Sequence, residues 1–333
     1  MIRPASWKIL VSAIALLVLL ILVPAAVYSS PYWIHVLIIC VLNIGMAASV
    51  RLIFLAGEIS ACHAAFMAIG AYTSALLVKN LGFSSWLGLP LGGIAAALIG
   101  LSIGYVTLKA KGIYFILTTL AFGEVVRLII SNWGLLGAVN GLSNIPRPNP
   151  ILEIQFIGHL PYYYFVFLLT LITLGICYRI EKSRYGLILR SIAQAPSITE
   201  SIGINIMSYK VLAFVIACFF AGIFGSFYAH YTTVIHPDMF TLWQSIMFLI
   251  YFQVGGIGSI WGAIIGGGFL TIAAEFLRAT KHLEVVSFAV LLIFIILFMP
   301  EGLIALPSKV NSLYSWWRKK GSMKKKEIRR GIA

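Results

Sequence analysis

SRYGLILRSIAQAPSITESIGINIMSYKVLAF, Ser183 to Phe214, interrupts a chain that is otherwise almost all apolar. Within about thirty residues it carries Arg184, Arg190 and Lys210, the glycines Gly186 and Gly203, and a proline, Pro196. On both sides the sequence returns to long apolar runs, 161–178 before it and 210–229 after it. A basic, Gly-punctuated stretch between two such runs reads as a loop that leaves the membrane on the side where Lys and Arg accumulate.

Composition supports that frame. The 333 residues are 61% hydrophobic and only 10% charged, against about 25% charged in ordinary soluble domains. So much apolar surface has no place inside one water-soluble globule, and the chain is predicted to be an all-α polytopic membrane protein. No alternating ten-residue pattern suggests a barrel. Ten spans of about 20 residues are expected, at 9–27, 33–50, 60–78, 86–108, 112–132, 161–178, 210–229, 242–257, 261–278 and 284–304. The first comes from MIRPASWKILVSAIALLVLLILVPAAVY, whose apolar run is too long for a cleaved signal peptide. The pair at 242–278 is divided only by the turn GGIGSIWG, Gly255 to Gly262.

The net charge of +14 sorts with these spans. With both termini placed in the cytoplasm, that side holds Arg3, Lys8, Arg51, Lys109, Lys111, Arg179, Lys182, Arg184, Arg190, Lys210 and nine tail residues from Lys309 on. The outside keeps Lys79, Arg147 and Lys281, with Arg278 near the edge. This is the positive-inside asymmetry, and it takes the place of a nucleic-acid partner as the explanation of the basic balance. The expected organisation is a membrane domain over 1–308, with a cytoplasmic loop at 180–209 and an external loop at 133–160, followed by a basic cytoplasmic tail at 309–333. The tail reads as solvated or bound to lipid headgroups.

The cytoplasmic loop contains SITE, which fits a capping box: Ser197 would accept from the N–H of Glu200, and Glu200 would reach back to Ser197. Pro196 fits just before such a cap or in a first turn. Ile198 and Ile202 lie four apart on one helix face, which Ile192 and Ala195 would extend if the helix began earlier, and Gly203 would end the helix. A short amphipathic helix of this kind either floats on the headgroups or docks a cytosolic partner.

Ionisable groups at membrane depth face a cavity or a partner. His63 lies in GEISACHAAFMAIGAYTSALL, a segment whose small residues let helices approach closely, with Glu58 at its edge. Glu124 and Arg127 lie three apart in TLAFGEVVRLIISNW, either as a self-neutralising pair or as pathway-lining groups. Glu275 and Arg278 repeat that spacing. The four cysteines are scattered in apolar segments and read as small buried hydrophobes. There is no GxxxxGK[ST], HExxH or GxSxG motif. No catalytic residue, cofactor or metal is therefore expected. From the residues alone, an ion-coupled secondary transporter or channel using His63, Glu124 and Arg127 is the rival to a transport subunit powered from outside.

Several stretches carry a family resemblance: HAAFMAIGAYTSALL from His63, KGIYFILTTLAFGEVVRL from Lys111, NGLSNIPRP from Asn140, SRYGLILRSI from Ser183, ESIGINIMSYKVLAFVIACFFAGIFGSFYAH from Glu200, and FMPEGLIAL from Phe298. In this order, and covering about residues 40 to 305, they resemble the M-type permease subunits of bacterial branched-chain amino acid ABC transporters. The resemblance implies a multi-pass inner-membrane subunit that pairs with a second permease, two ATP-binding subunits and a periplasmic substrate-binding protein. It also implies that the 180–209 loop carries a coupling helix docked on an ATP-binding subunit, anchored here by Ile198, Glu200, Ile202 and Gly203. Gln194 and Pro196 stand where the family commonly has acids, and Thr199 and Ser201 replace alanines; this bears on which ATP-binding subunit is accepted. The substrate implied is a hydrophobic, branched-chain amino acid, with urea, short amides or sugars as the alternatives among related permeases.

Overall fold

The computed structural model describes residues 30–150, 156, 158–278, 284–299 and 302–305. The first expected span, 9–27, and the basic tail lie outside the described residues. Within them the chain is helical: α1 (Pro31–Phe54), α2 (His63–Leu81), α3 (Ser85–Thr107), α4 (Ile113–Asn132), α5 (His159–Lys182), α6 (Arg184–Gln194), α7 (Pro196–Ser201), α8 (Ile206–Thr232), α9 (Leu242–Gly255), α10 (Trp261–Arg278) and α11 (Glu284–Phe298). Six of these are long and apolar enough to cross a membrane: α1 to α5 and α8. Each of the nine expected spans that falls on described residues meets one helix. The 14 residues of α9 extend only about 21 Å, less than the roughly 30 Å hydrocarbon core.

The centre of the bundle is built on small residues. A Cβ placed on Gly70 of α2 would lie 2.1 Å from the Gly222 carbonyl oxygen of α8, and one on Gly222 would lie 2.7 Å from the Gly92 oxygen of α3. Only glycine permits this three-helix approach. Ser226 locks it, donating its hydroxyl to the carbonyls of Gly70 (3.0 Å) and Gly222 (2.9 Å). Around this seam α1 packs on α5, α8 and α10, and α9 pairs with α10. In α4, by contrast, only Phe115, Thr119, Val126 and Ile130 are buried, a single stripe at helical spacing.

Contacts sort the helix ends onto two faces. On one, Arg51 near the end of α1 meets Glu181 near the end of α5 and the carbonyl of Ile257 between α9 and α10. Gly302, beyond α11, lies against Gly256 on that same face. On the other, Tyr32 at the start of α1 bonds Glu275 near the end of α10. The loop after α4 also packs there: Leu142 and Ile235 exchange two backbone hydrogen bonds at 2.9 Å, Lys79 donates to the Ser143 carbonyl and Trp86 to that of Asn149. The expected long loop at 133–160 is therefore a fitted cover in its described part.

Candidate functional site

The first face carries a two-helix elbow, α6 and α7. Ser183 caps α6, its hydroxyl accepting from the Gly186 N–H at 3.4 Å, and Asn205 caps α8 by accepting from Ser208 at 3.2 Å. The capping box expected at Ser197 and Glu200 does not form. Ala195 is the residue before α7, Pro196 occupies its first turn, and Ser197 is already helical. Thr199 supplies the local polar contacts instead, donating to the Ala195 carbonyl at 3.0 Å and meeting Ser191 at 2.9 Å. Pro196 lacks the N–H that would carry α6 onward, so the chain breaks at Ala195 and restarts in a new direction.

That break divides the apolar residues. Leu189 and Ile192 of α6 are buried, Leu189 in a cluster with Leu52, Leu55, Ala56 and Ala213. Ile198 and Ile202 are 66% and 70% exposed. The expectation that Ile192 extends the face of Ile198 and Ile202 is corrected: Ile192 faces inward and the other two outward. Gly203 adopts φ +85°, the left-handed conformation that ends α7.

The elbow is tied to the membrane helices at three points. Glu181 is shared by Arg51 (3.1 Å) and Arg190 of α6 (2.5 Å), with Arg51 and Glu181 almost fully buried. Tyr185 donates to the Tyr209 carbonyl at 2.6 Å and stacks on its ring, and burial pushes its phenol pKa up. Ala193 presses on Gly57, where a Cβ would lie 3.1 Å from the Ala193 Cα and the backbone is at φ +80°. Next to Gly57, Glu58 pairs with Lys210 of α8 at 2.5 Å. Glu58, Lys111, Glu200 and Lys210 help line a cavity of about 350 Å³ under the elbow.

Six residues beyond Gly57 the chain re-enters the bundle at His63, the first residue of α2. There the Ala61 N–H bonds to Thr119 Oγ1 at 3.1 Å and the Ala64 N–H to Ser245 Oγ at 2.9 Å. Ser245 belongs to the first turns of α9, so the N-termini of α2 and α9 meet. Thr119 lies six residues into α4, about 9 Å from its start, and Ser245 lies ten residues, about 15 Å, from the end of α9. The meeting point is thus deep in the bundle. His63 is fully buried, and neither ring nitrogen has a partner among the described residues.

Glu124 and Arg127 form the expected pair, bridging at 2.5 to 3.2 Å. Arg127 also reaches Asp238 at 3.1 Å, a third member that sequence spacing did not suggest. All three are at least partly exposed, Glu124 and Arg127 on α4 and Asp238 in the turn Pro237–Met239 before α9. They do not join His63, which faces the α2–α9 junction. Glu275 and Arg278 also pair, at 3.2 Å. The four cysteines are free and buried. Glu181, Ser245, Thr119 and Asp238 were not singled out from the sequence. Apart from Arg190, nine residues from Glu181, the partners named above lie 58 to 181 residues away along the chain, so no local spacing marks them.

The sequence profile of the family described as "Branched-chain amino acid transport system / permease component" matches residues 32–299. The chain is 29% identical to the high-affinity branched-chain amino acid transport system permease protein LivM of Escherichia coli strain K12, over 87% of this chain and 74% of that protein. It is 28% identical to LivM of Salmonella typhimurium, over 80% and 68%. The permease protein LivH of E. coli K12 is 37% identical over 38% of this chain and 42% of its own length. No solved structure matches.

Proposed function

Because the chain belongs to the family of branched-chain amino acid transport permeases, we propose that it is the M-type permease subunit of an ABC importer, passing branched-chain amino acids across the bacterial inner membrane on ATP hydrolysed by separate subunits. Both LivM and LivH carry the name permease protein of one transport system. A second permease, two ATP-binding subunits and a periplasmic substrate-binding protein complete the assembly in this reading.

The single observation that carries the coupling role is the split of the α6–α7 elbow. Its outer side offers Ile198 and Ile202 to a partner, while its inner side is clamped to α1, α5 and α8. Glu200 stands at the mouth of the cavity behind it, and Gly203 lets the chain turn back into α8. Closure of the ATP-binding pair pushes the elbow. Ala193 passes that displacement to Gly57, and the short loop after Gly57 passes it to the N-terminus of α2. A network of buried charges and packed backbone transmits strain because it has little room to deform. His63, and Glu124 with Arg127 on α4, line the pathway in this reading; half-exposed charges on α4 face water or the second permease, since acyl chains would leave them unsolvated.

The test is copurification from native membranes followed by reconstitution. ATP-binding subunits and a second permease should accompany the tagged chain, and leucine uptake should need ATP and the binding protein. A chain that comes out alone and moves solute in liposomes on an ion gradient would overturn the reading in favour of a secondary transporter. Competition by urea or ribose but not leucine would remove the substrate assignment.

A further inference from the structure

We propose that the junction of the α2 and α9 N-termini, with His63 at its centre, is the site that receives the carboxylate of the translocated amino acid. The inference rests on the importer reading and adds a site and a ligand group to it.

A helix N-terminus presents unsatisfied N–H groups and a positive partial charge, and it attracts anions. Two such ends meet here at one depth, joined by the Ala64–Ser245 bond. Ser245 Oγ already satisfies one N–H of the α2 end, that of Ala64. Cys62 and Thr241, the residues before α2 and α9, make no side-chain capping bond, and neither helix has an acidic residue in its first turn. Discontinuous membrane helices whose N-termini point at an anionic group are a general device for binding within the bilayer.

The second observation is His63 itself. Cα–Cβ bonds in a helix tilt toward its N-terminus, so a side chain on the first residue of α2 is directed at the junction. It is fully buried and both ring nitrogens lack a partner among the described residues. A buried polar group left unbonded is costly and rare unless it has a use. A carboxylate is a fitting partner, since an imidazole N–H donates to it as the two helix ends do. Further along α2 the Tyr72 hydroxyl is also buried without a partner, beside Phe240 in the segment that leads down to α9. The junction is closed as described and opens when α2 and α9 part.

The experiment uses the whole transporter in nanodiscs, without the binding protein so that its own selectivity does not enter. The probes are L-leucine, L-leucinol, acetate and chloride, and the readout is ¹⁵N-histidine NMR, with the His63 signal assigned by its loss in His63→Gln. Excess L-leucine should move that signal, L-leucinol should not, and Ser245→Ala should weaken the response to L-leucine. Acetate acting like L-leucine supports the carboxylate assignment; chloride acting as strongly overturns it. In proteoliposomes His63→Gln should lower uptake about tenfold or more while ATP hydrolysis stimulated by the binding protein persists. Equal responses to L-leucine and L-leucinol, no response to either, or wild-type uptake by His63→Gln would overturn the proposal. If the importer reading itself is at fault, the wild-type complex will show no ATP-dependent leucine uptake, a separate result.

Discussion

Glu181 is the residue on which the elbow turns, because two arginines from different elements share its carboxylate inside the protein. Removing one partner of a buried pair leaves the others desolvated and uncompensated, at a cost of about 3–5 kcal/mol. Glu181→Gln is therefore expected to lower the thermal midpoint of the purified complex markedly and to loosen α6, detectable as faster proteolysis near Arg190. An unchanged midpoint would show that the network contributes no stability. Arg51 and Arg190 stand in the sequence as charges flanking apolar runs, but neither Glu181 nor the convergence on it is marked there. Residues 51 and 181 are brought together only by α1 lying against α5.

At the scale of elements, α6 and α7 divide labour. The first is a clamp, buried through Leu189 and Ile192; the second is a presented edge, with Ile198 and Ile202 outermost. Apolar anchors at an interface centre contribute about 2 kcal/mol or more each. Ile198→Glu with Ile202→Glu is therefore expected to weaken retention of the ATP-binding subunits by at least about thirtyfold and to abolish coupled uptake, while the chain still inserts. Quantitative copurification and uptake check this; full uptake by the double variant would sink the coupling assignment. The sequence pattern placed an amphipathic helix here correctly, and Gly203 marked its end. It left the start open, since Pro196 fits either before a cap at Ser197 or in a first turn, and only the backbone at Ala195 selects the second.

For the whole molecule, alternation of the helix ends between two faces is the strongest constraint. Arg51, Glu181, the elbow, Ile257 and Gly302 share one face, and the cover formed after α4 lies on the other. By the positive-inside rule, the proposed topology puts the first face, with the basic residues of the elbow, in the cytoplasm. The native cysteines are buried, so single introduced thiols report sidedness cleanly. Ser197→Cys is expected to react with an impermeant maleimide only from the cytoplasmic side, and Ser143→Cys only from outside. Labelling of both from one side would overturn the topology. The exposed flank of α4 carries Glu124 and Arg127, and Asp238 reaches Arg127 from the turn before α9; on the proposed function this flank is where the second permease would pack.

Apolar runs of about 20 residues determined the helices that cross the bundle, since a chain in lipid must satisfy its own backbone and only helices do so within one segment. Loop charges set the sidedness expected of each end, and glycine content announced close packing, because both are properties of composition along one stretch. Tertiary structure alone decided that Gly70, Gly92 and Gly222 meet, that Glu181 serves two arginines, that Ile192 turns inward while Ile198 turns outward, and that two helices begin at the same point beside His63. Each of these joins residues on different elements. Local periodicity records which face of a helix is apolar, but the neighbour it meets is set by the packing of the whole bundle.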